Sequence, residues 1–146
     1  DRCKYGYTAD DGDFISGYNY FYLNFCPIQR IIYTTITNPD GSTTTKKTRD
    51  FSSQTSMTMT ITFLAVEDAE EQSKHLCALK SRRKGYSYKN AAMACRNYYL
   101  FAGSKTYIYA SNKQYLTEDG ILTKAWDYMD FIDKNTAWGK KRSVNT

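Results

Sequence analysis

Histidine is nearly absent from this chain: His75 is the only one among 146 residues. Any serine–histidine or cysteine–histidine mechanism must therefore run through that single ring, and a two-histidine ribonuclease chemistry is excluded. No G-x-S-x-G, H-E-x-x-H, P-loop or dinucleotide fingerprint is present either. Proline (2) and glycine (8) are too sparse for collagen, a proline-rich linker or a low-complexity chain. No apolar run approaches the roughly eighteen residues a spanning helix requires. There is no Asn-x-Ser/Thr sequon. No internal repeat is apparent. A charged fraction of 24% and a hydrophobic fraction of 41% are those of a folding chain rather than a disordered one.

Aromatic residues stand in excess: 14 Tyr, 7 Phe and 2 Trp make up 16% of the sequence. The chain carries a net charge of +5. Four cysteines, Cys3, Cys26, Cys77 and Cys95, are widely spaced and even in number. That pattern fits two disulfides in any of three pairings. Four zinc ligands at such separations would be unusual, and four reduced thiols in a core are the remaining alternative. Cys3 decides for disulfides, because a bridge there would tie down a terminus otherwise free to fray. With Asp1 first and no apolar leader, the sequence reads as a mature secreted chain. The expected organisation is one domain over 1–146, with a pinned arm at 1–17 and a frayed basic tail at 139–146.

Strands are expected at Tyr20–Phe25, Ile31–Thr37 and Thr43–Phe51. The turn Asn38-Pro39-Asp40-Gly41 joins the last two as a hairpin, because proline presets one φ and glycine supplies a positive one. Met57 to Val66 alternates Met57, Met59, Ile61, Phe63 and Ala65 with Thr58, Thr60 and Thr62, a period of two that predicts a half-buried strand. Asp68 with Glu71 resembles a capping box, so a helix is expected from 69 to about 83. Ala91–Ala94 suggests a short helix, and Tyr98–Phe101 and Thr106–Ala110 suggest strands about a Gly103-Ser104 turn. Thr117, followed by Glu118 and Asp119, predicts the start of a terminal helix. Ile121, Leu122, Ala125, Met129 and Ile132 share one face of it, widened by Trp126, Tyr128 and Phe131. The predicted class is α+β, mainly antiparallel sheet with one or two packed helices and disulfides. A calycin-like barrel with a C-terminal helix is the alternative.

Three clusters carry candidate chemistry. Asp10, Asp11 and Asp13 around Gly12 supply oxygens but lack calcium-loop spacing, so they read as a solvated loop, and no metal site is expected. Lys80, Arg82, Arg83, Lys84, Tyr86, Tyr88 and Lys89 interleave cations with rings, a pattern able to hold polyanions while rings stack. The same cations also complement a helix C-terminus without any ligand. Lys140, Lys141 and Arg142 would extend the patch if they lay beside it. Tyr18, Tyr20 and Tyr22 share strand parity, as do Tyr107 and Tyr109, so each set predicts a strip of rings on one sheet face.

His75 sits beside Glu71, Lys74 and Cys77 and suits a salt-partnered helix position better than a catalytic one. The sequence thus predicts a secreted, non-enzymatic binding protein of effector or toxin type, without cofactor. Its partner would be a host protein or a polyanionic glycan, met by the tyrosine face and the basic patch. Nucleic acid is the weaker partner, because the disulfide argument places the chain outside the cell. A calycin-type carrier of a small amphipathic ligand and a small hydrolase or nuclease built on His75 are the alternatives.

Overall fold

The computed structural model describes the chain apart from residues 39–40, 53–56, 82–84, 119 and 144–146, and apart from the side chains of 29–32, 47–52 and 57–60. Its class is α+β, but helices dominate. In order come α1 (Arg2–Tyr5), β1 (Tyr7–Thr8), β2 (Phe14–Ile15), α2 (Gly17–Phe25), β3 (Ile28–Thr37), β4 (Thr43–Ser52), α3 (Met57–Glu71), α4 (Tyr86–Leu100), α5 (Gln114–Thr117) and α6 (Ile121–Asn135). Both sheets are two-stranded and antiparallel, and among the described residues no barrel closes.

The hairpin is where its sequence places it. Ten pairs run from Ile28↔Ser52 to Thr37↔Thr43. At the turn, Asn38 N–H donates to the Ser42 carbonyl at 2.8 Å and Gly41 takes a φ of 83°. Pro39 and Asp40 lie outside the described residues. The terminal helix is also as expected, with Ala125, Tyr128 and Ile132 buried on one face. Its N-cap is Gly120 rather than Thr117, which closes α5 instead. Leu122 and Trp126, expected inward, are largely exposed.

Three expected strands are wholly or mostly helical. Tyr20–Phe25 belongs to α2, where Tyr18, Phe21, Tyr22 and Phe25 recur at i, i+3, i+4 and i+7, so the same rings satisfy the helical period. Ser16 caps α2, its buried hydroxyl accepting from Asn19 N–H at 3.2 Å. Gly17 begins the helix against the end of α1; a Cβ there would lie 2.7 Å from the Lys4 carbonyl oxygen. Met57–Val66 lies in α3, and Phe63 is its fully buried anchor. Asp68 is inside this helix rather than its cap. The chain leaves it in a Schellman turn: Lys74 N–H reaches the Ala69 carbonyl at 2.8 Å, Ser73 N–H reaches Glu70, and Ser73 adopts φ 53°. The helix expected over 69–83 therefore stops at Glu71, and residues 74–81 run without regular structure.

The short helix at Ala91–Ala94 extends to the whole of α4. It absorbs most of the strand expected at Tyr98–Phe101, while Thr106–Ala110 is irregular. Ala91, Ala92 and Ala94 are buried along α4, as is Ala125 on α6, and Cys95 donates its S–H to the Ala125 carbonyl at 3.3 Å. Small side chains let these two helices approach closely, and they form the spine of the core.

The disulfide expectation is overturned. All four cysteines are free: Cys3, Cys26 and Cys95 are buried among the helices, and Cys77 is exposed. The buried three act as small apolar groups at helix contacts, which is the usual alternative duty of a thiol. Burial pushes Cys95 up to about 12, and Cys26 is raised by burial with neighbouring Cys95 and Cys3 adding. The arm is pinned all the same, by Arg96. The basic tail is docked rather than frayed through residue 142. Lys140 donates to the Tyr98 carbonyl at 2.7 Å, and Arg142 bridges Asp130 and Asp133 at 2.6 and 2.8 Å under the Trp126 ring.

Candidate functional site

A concavity of about 540 Å³ opens where α1, β2, the start of α2, the end of α3 and the end of α4 meet. Tyr18 and Arg96, which line it, belong to a column of stacked groups. The Phe63 and Tyr18 rings lie nearly parallel, 6.0 Å apart. The Arg96 guanidinium sits 3.8 Å from the Tyr18 ring and 5.3 Å from that of Phe101. Arg96 is only 4% exposed, and its fork is occupied by protein: Nε donates to the Cys3 carbonyl at 2.8 Å and Nη2 to the Lys4 carbonyl at 2.9 Å. These oxygens belong to the last turn of α1, so the guanidinium supplies the positive charge that a helix C-terminus favours.

The rim is acidic. Glu67, Glu70 and Glu71 fall on one face of α3 at i, i+3 and i+4, and all three line the opening. Two are fixed by Tyr18: Glu67 accepts from its backbone N–H at 3.3 Å, and Glu70 accepts from its hydroxyl at 2.6 Å. Burial first, then the bond to Glu70, raises the Tyr18 phenol above its ordinary value, so it remains a donor. Lys4 stands on the opposite charge, 5.7 Å from the Phe101 ring. The walls are aromatic and wet: Tyr5, Phe14 and Phe101 are substantially exposed. Carboxylates beside accessible ring faces attract organic cations, by charge-assisted hydrogen bonds and by the ring quadrupole.

Of the tyrosines expected to form a binding strip, Tyr18 and Tyr22 are buried in α2 and Tyr20 packs edge-on against Tyr7 at 5.5 Å. The strip does not exist, because a helix sends these side chains in different directions. Only Tyr18 reaches the cleft. Tyr107 and Tyr109 are 71% and 89% exposed, but on an irregular segment rather than a sheet. In the basic cluster, Lys80, Tyr86 and Lys89 come together around a second, smaller cavity. Tyr88 turns instead beneath Lys124, whose ammonium lies 4.9 Å from its ring. Arg82, Arg83 and Lys84 lie outside the described residues. His75 is exposed beyond the end of α3 and lines neither cavity. Asp11 closes the β1–β2 turn by accepting from Asp13 N–H at 3.1 Å, and among the described residues no three acidic, histidine or cysteine side chains are arranged to hold a metal ion.

Sequence reasoning missed Glu67, Glu70, Glu71, Arg96 and Phe101. The signal for the acids was available: four carboxylates between 67 and 71 occupy the wrong end of a helix for its dipole. Arg96, alone between alanines and aromatics, gave no comparable sign. No known protein family matches the chain, and neither a curated protein nor a solved structure is similar to it.

Proposed function

We propose that the chain is a non-enzymatic binding protein of effector or toxin type, and that it engages a partner protein by receiving one of its basic side chains in the acidic, ring-walled cleft. The observation that carries this reading is the convergence of Glu67, Glu70 and Glu71 on a cavity whose walls include the exposed rings of Tyr5 and Phe14. The chain as a whole is cationic at +5, so an acidic recess is a local exception that favours a complementary contact over general attraction. A volume of about 540 Å³ is in the usual range for ligand pockets and admits an arginine or lysine side chain. Secretion was expected from cysteine pairing and loses that support with the thiols free; the binding reading does not depend on compartment.

Calorimetric titration with an arginine-containing peptide, beside the same peptide carrying citrulline, tests it. The arginine peptide should bind at least tenfold more tightly, and the double variant Glu70→Gln, Glu71→Gln should remove that preference. Equal binding of the two peptides, or a preference unchanged in the variant, refutes the cleft as a cation site.

A further inference from the structure

The second cavity, about 360 Å³, lies between the middle of α3, the irregular segment after it and the first turn of α4, and shares no residue with the acidic cleft. One wall is apolar. Ile61 and Ala65 come from α3, and Leu76, Ala78 and Leu79 from the segment beyond it. Ile61, Leu76 and Leu79 are left largely exposed, Leu79 fully so. The other edge is cationic and hydroxylic. Lys89 is 1% exposed and donates from Nζ to Thr62 Oγ1 at 3.0 Å. Lys80 and Lys89 each place an ammonium 5.8 Å from the centre of the Tyr86 ring, so both cations border this one aromatic side chain. Ser81 adds a further hydroxyl at the opening.

These two edges together define the chemistry of an occupant. A bare polyanion would use the ammonium edge and leave the leucine wall in water. An uncharged hydrocarbon would cover the wall and gain nothing from the lysines. A molecule with an anionic head and a short apolar chain meets both. The volume equals that of about twelve waters at about 30 Å³ each, room for a chain of about eight to ten carbons with its head group.

We infer that this cavity binds a free anionic amphiphile, a medium-chain carboxylate, with its head at Lys80 and Lys89 and its chain against Ile61, Ala65 and Leu79. Each methylene placed on the apolar wall contributes to affinity, so binding should tighten with chain length until the cavity is full. The ammonium edge should discriminate strongly between a carboxylate and the alcohol of equal length.

The test uses the full chain and isothermal titration with decanoate, hexanoate, decanol and inorganic phosphate, each below its aggregation limit. Decanoate should bind one to one and at least tenfold more tightly than any of the other three. Lys80→Met, at an exposed position, should weaken decanoate at least fivefold while leaving decanol unchanged. Leu79→Ser, also exposed, should shrink the decanoate-to-hexanoate ratio. Failure of decanoate to bind the parent chain overturns the inference. So does decanol binding as tightly as decanoate, which would mark a plain apolar groove. Phosphate binding as tightly as decanoate would mark a simple anion site and overturns it equally. The arginine-peptide preference of the acidic cleft should survive both substitutions, which keeps the two sites separable.

Discussion

Replacing Arg96 with methionine should be the most damaging single change on the surface of contact between the N-terminal arm and the helices. The side chain makes two charge-assisted hydrogen bonds, to the Cys3 and Lys4 carbonyls, each of a kind that contributes about 1.5–3 kcal/mol. Stacking on Tyr18 at 3.8 Å in a desolvated position adds up to about 2 kcal/mol. The three contributions share one group and do not sum, and methionine recovers part of the packing. A net loss of about 3–5 kcal/mol follows, comparable to breaking other buried charged contacts. For a chain of 146 residues that corresponds to a fall in Tm of about 6–20 °C.

Arg96→Lys separates the causes. It keeps the charge at the end of α1, but an ammonium lacks the planar fork that spans two carbonyls and stacks on a ring. It should therefore recover less than half of the loss. Urea unfolding followed by tryptophan fluorescence gives both values, and amide exchange at Lys4–Gly6 shows whether the arm loosens first. A methionine variant within 1 kcal/mol of the parent would refute the assignment of Arg96 as the pin. Full recovery by lysine would show that charge alone holds α1, not the bidentate geometry.

Other consequences are simpler to check. A thiol reagent should modify Cys77 rapidly in the native protein and all four cysteines in denaturant without reductant; fewer than four there would restore the disulfide expectation. Stability should fall as pH rises above about 9, because the unfolded Cys95 thiol releases its proton near 9 while the folded one holds it to about 12. The unfolded state then binds fewer protons than the folded one, so the slope is negative, about 1.4 kcal/mol per pH unit for this one group. Buried Tyr128, also raised by burial, steepens the decline at higher pH. Urea midpoints between pH 7 and 11 read this, and a flat profile would contradict the burial of Cys95. Ser73→Gly should stabilise by about 0.5–1 kcal/mol, since φ 53° strains a residue with a Cβ, and a loss of stability would remove the Schellman turn as the end of α3.

What could be read from the sequence was what local chemistry decides. The Asn38–Gly41 turn and its threonine-rich flanks form a hairpin whose register follows from neighbouring residues alone. The period of α6 is long enough to outvote any alternative. The strand readings of 20–25 and 57–66 failed for a shared reason. Their apolar residues fit both a period of two and one of 3.6, and β-branched Thr and aromatic Tyr tip the balance toward strand. Tertiary packing reverses that preference: Phe63 and Tyr22 fill the space between α2 and α3 only if both are helices, with ring centroids 5.6 Å apart. The basic cluster was half legible. Lys80, Tyr86 and Lys89 do come together, but their apolar counterpart is supplied by α3, which the sequence presents as a strand. The acidic cleft needed five separate elements to meet, and no spacing encodes that.

The composition of the end of α3 bears on why the cleft is where it is. Glu67, Asp68, Glu70 and Glu71 face the negative end of their own helix, an unfavourable placement of about 0.3–1 kcal/mol each, and they repel one another at i, i+3 and i+4. Two are partly compensated by Tyr18, and Glu67 also sits at the favourable N-terminus of α2. Asp68 is engaged by Gln72 at 2.7 Å. Glu71 gains none of these contacts and lies exposed on the rim. A chain selected for stability alone would place lysine or glutamine there. The Glu70→Gln, Glu71→Gln variant should therefore lose the arginine peptide yet unfold at a midpoint no lower than the parent's. A simultaneous loss of binding and of stability would instead mean that the acids hold α3 against Tyr18, and that the cleft follows from packing rather than from recognition.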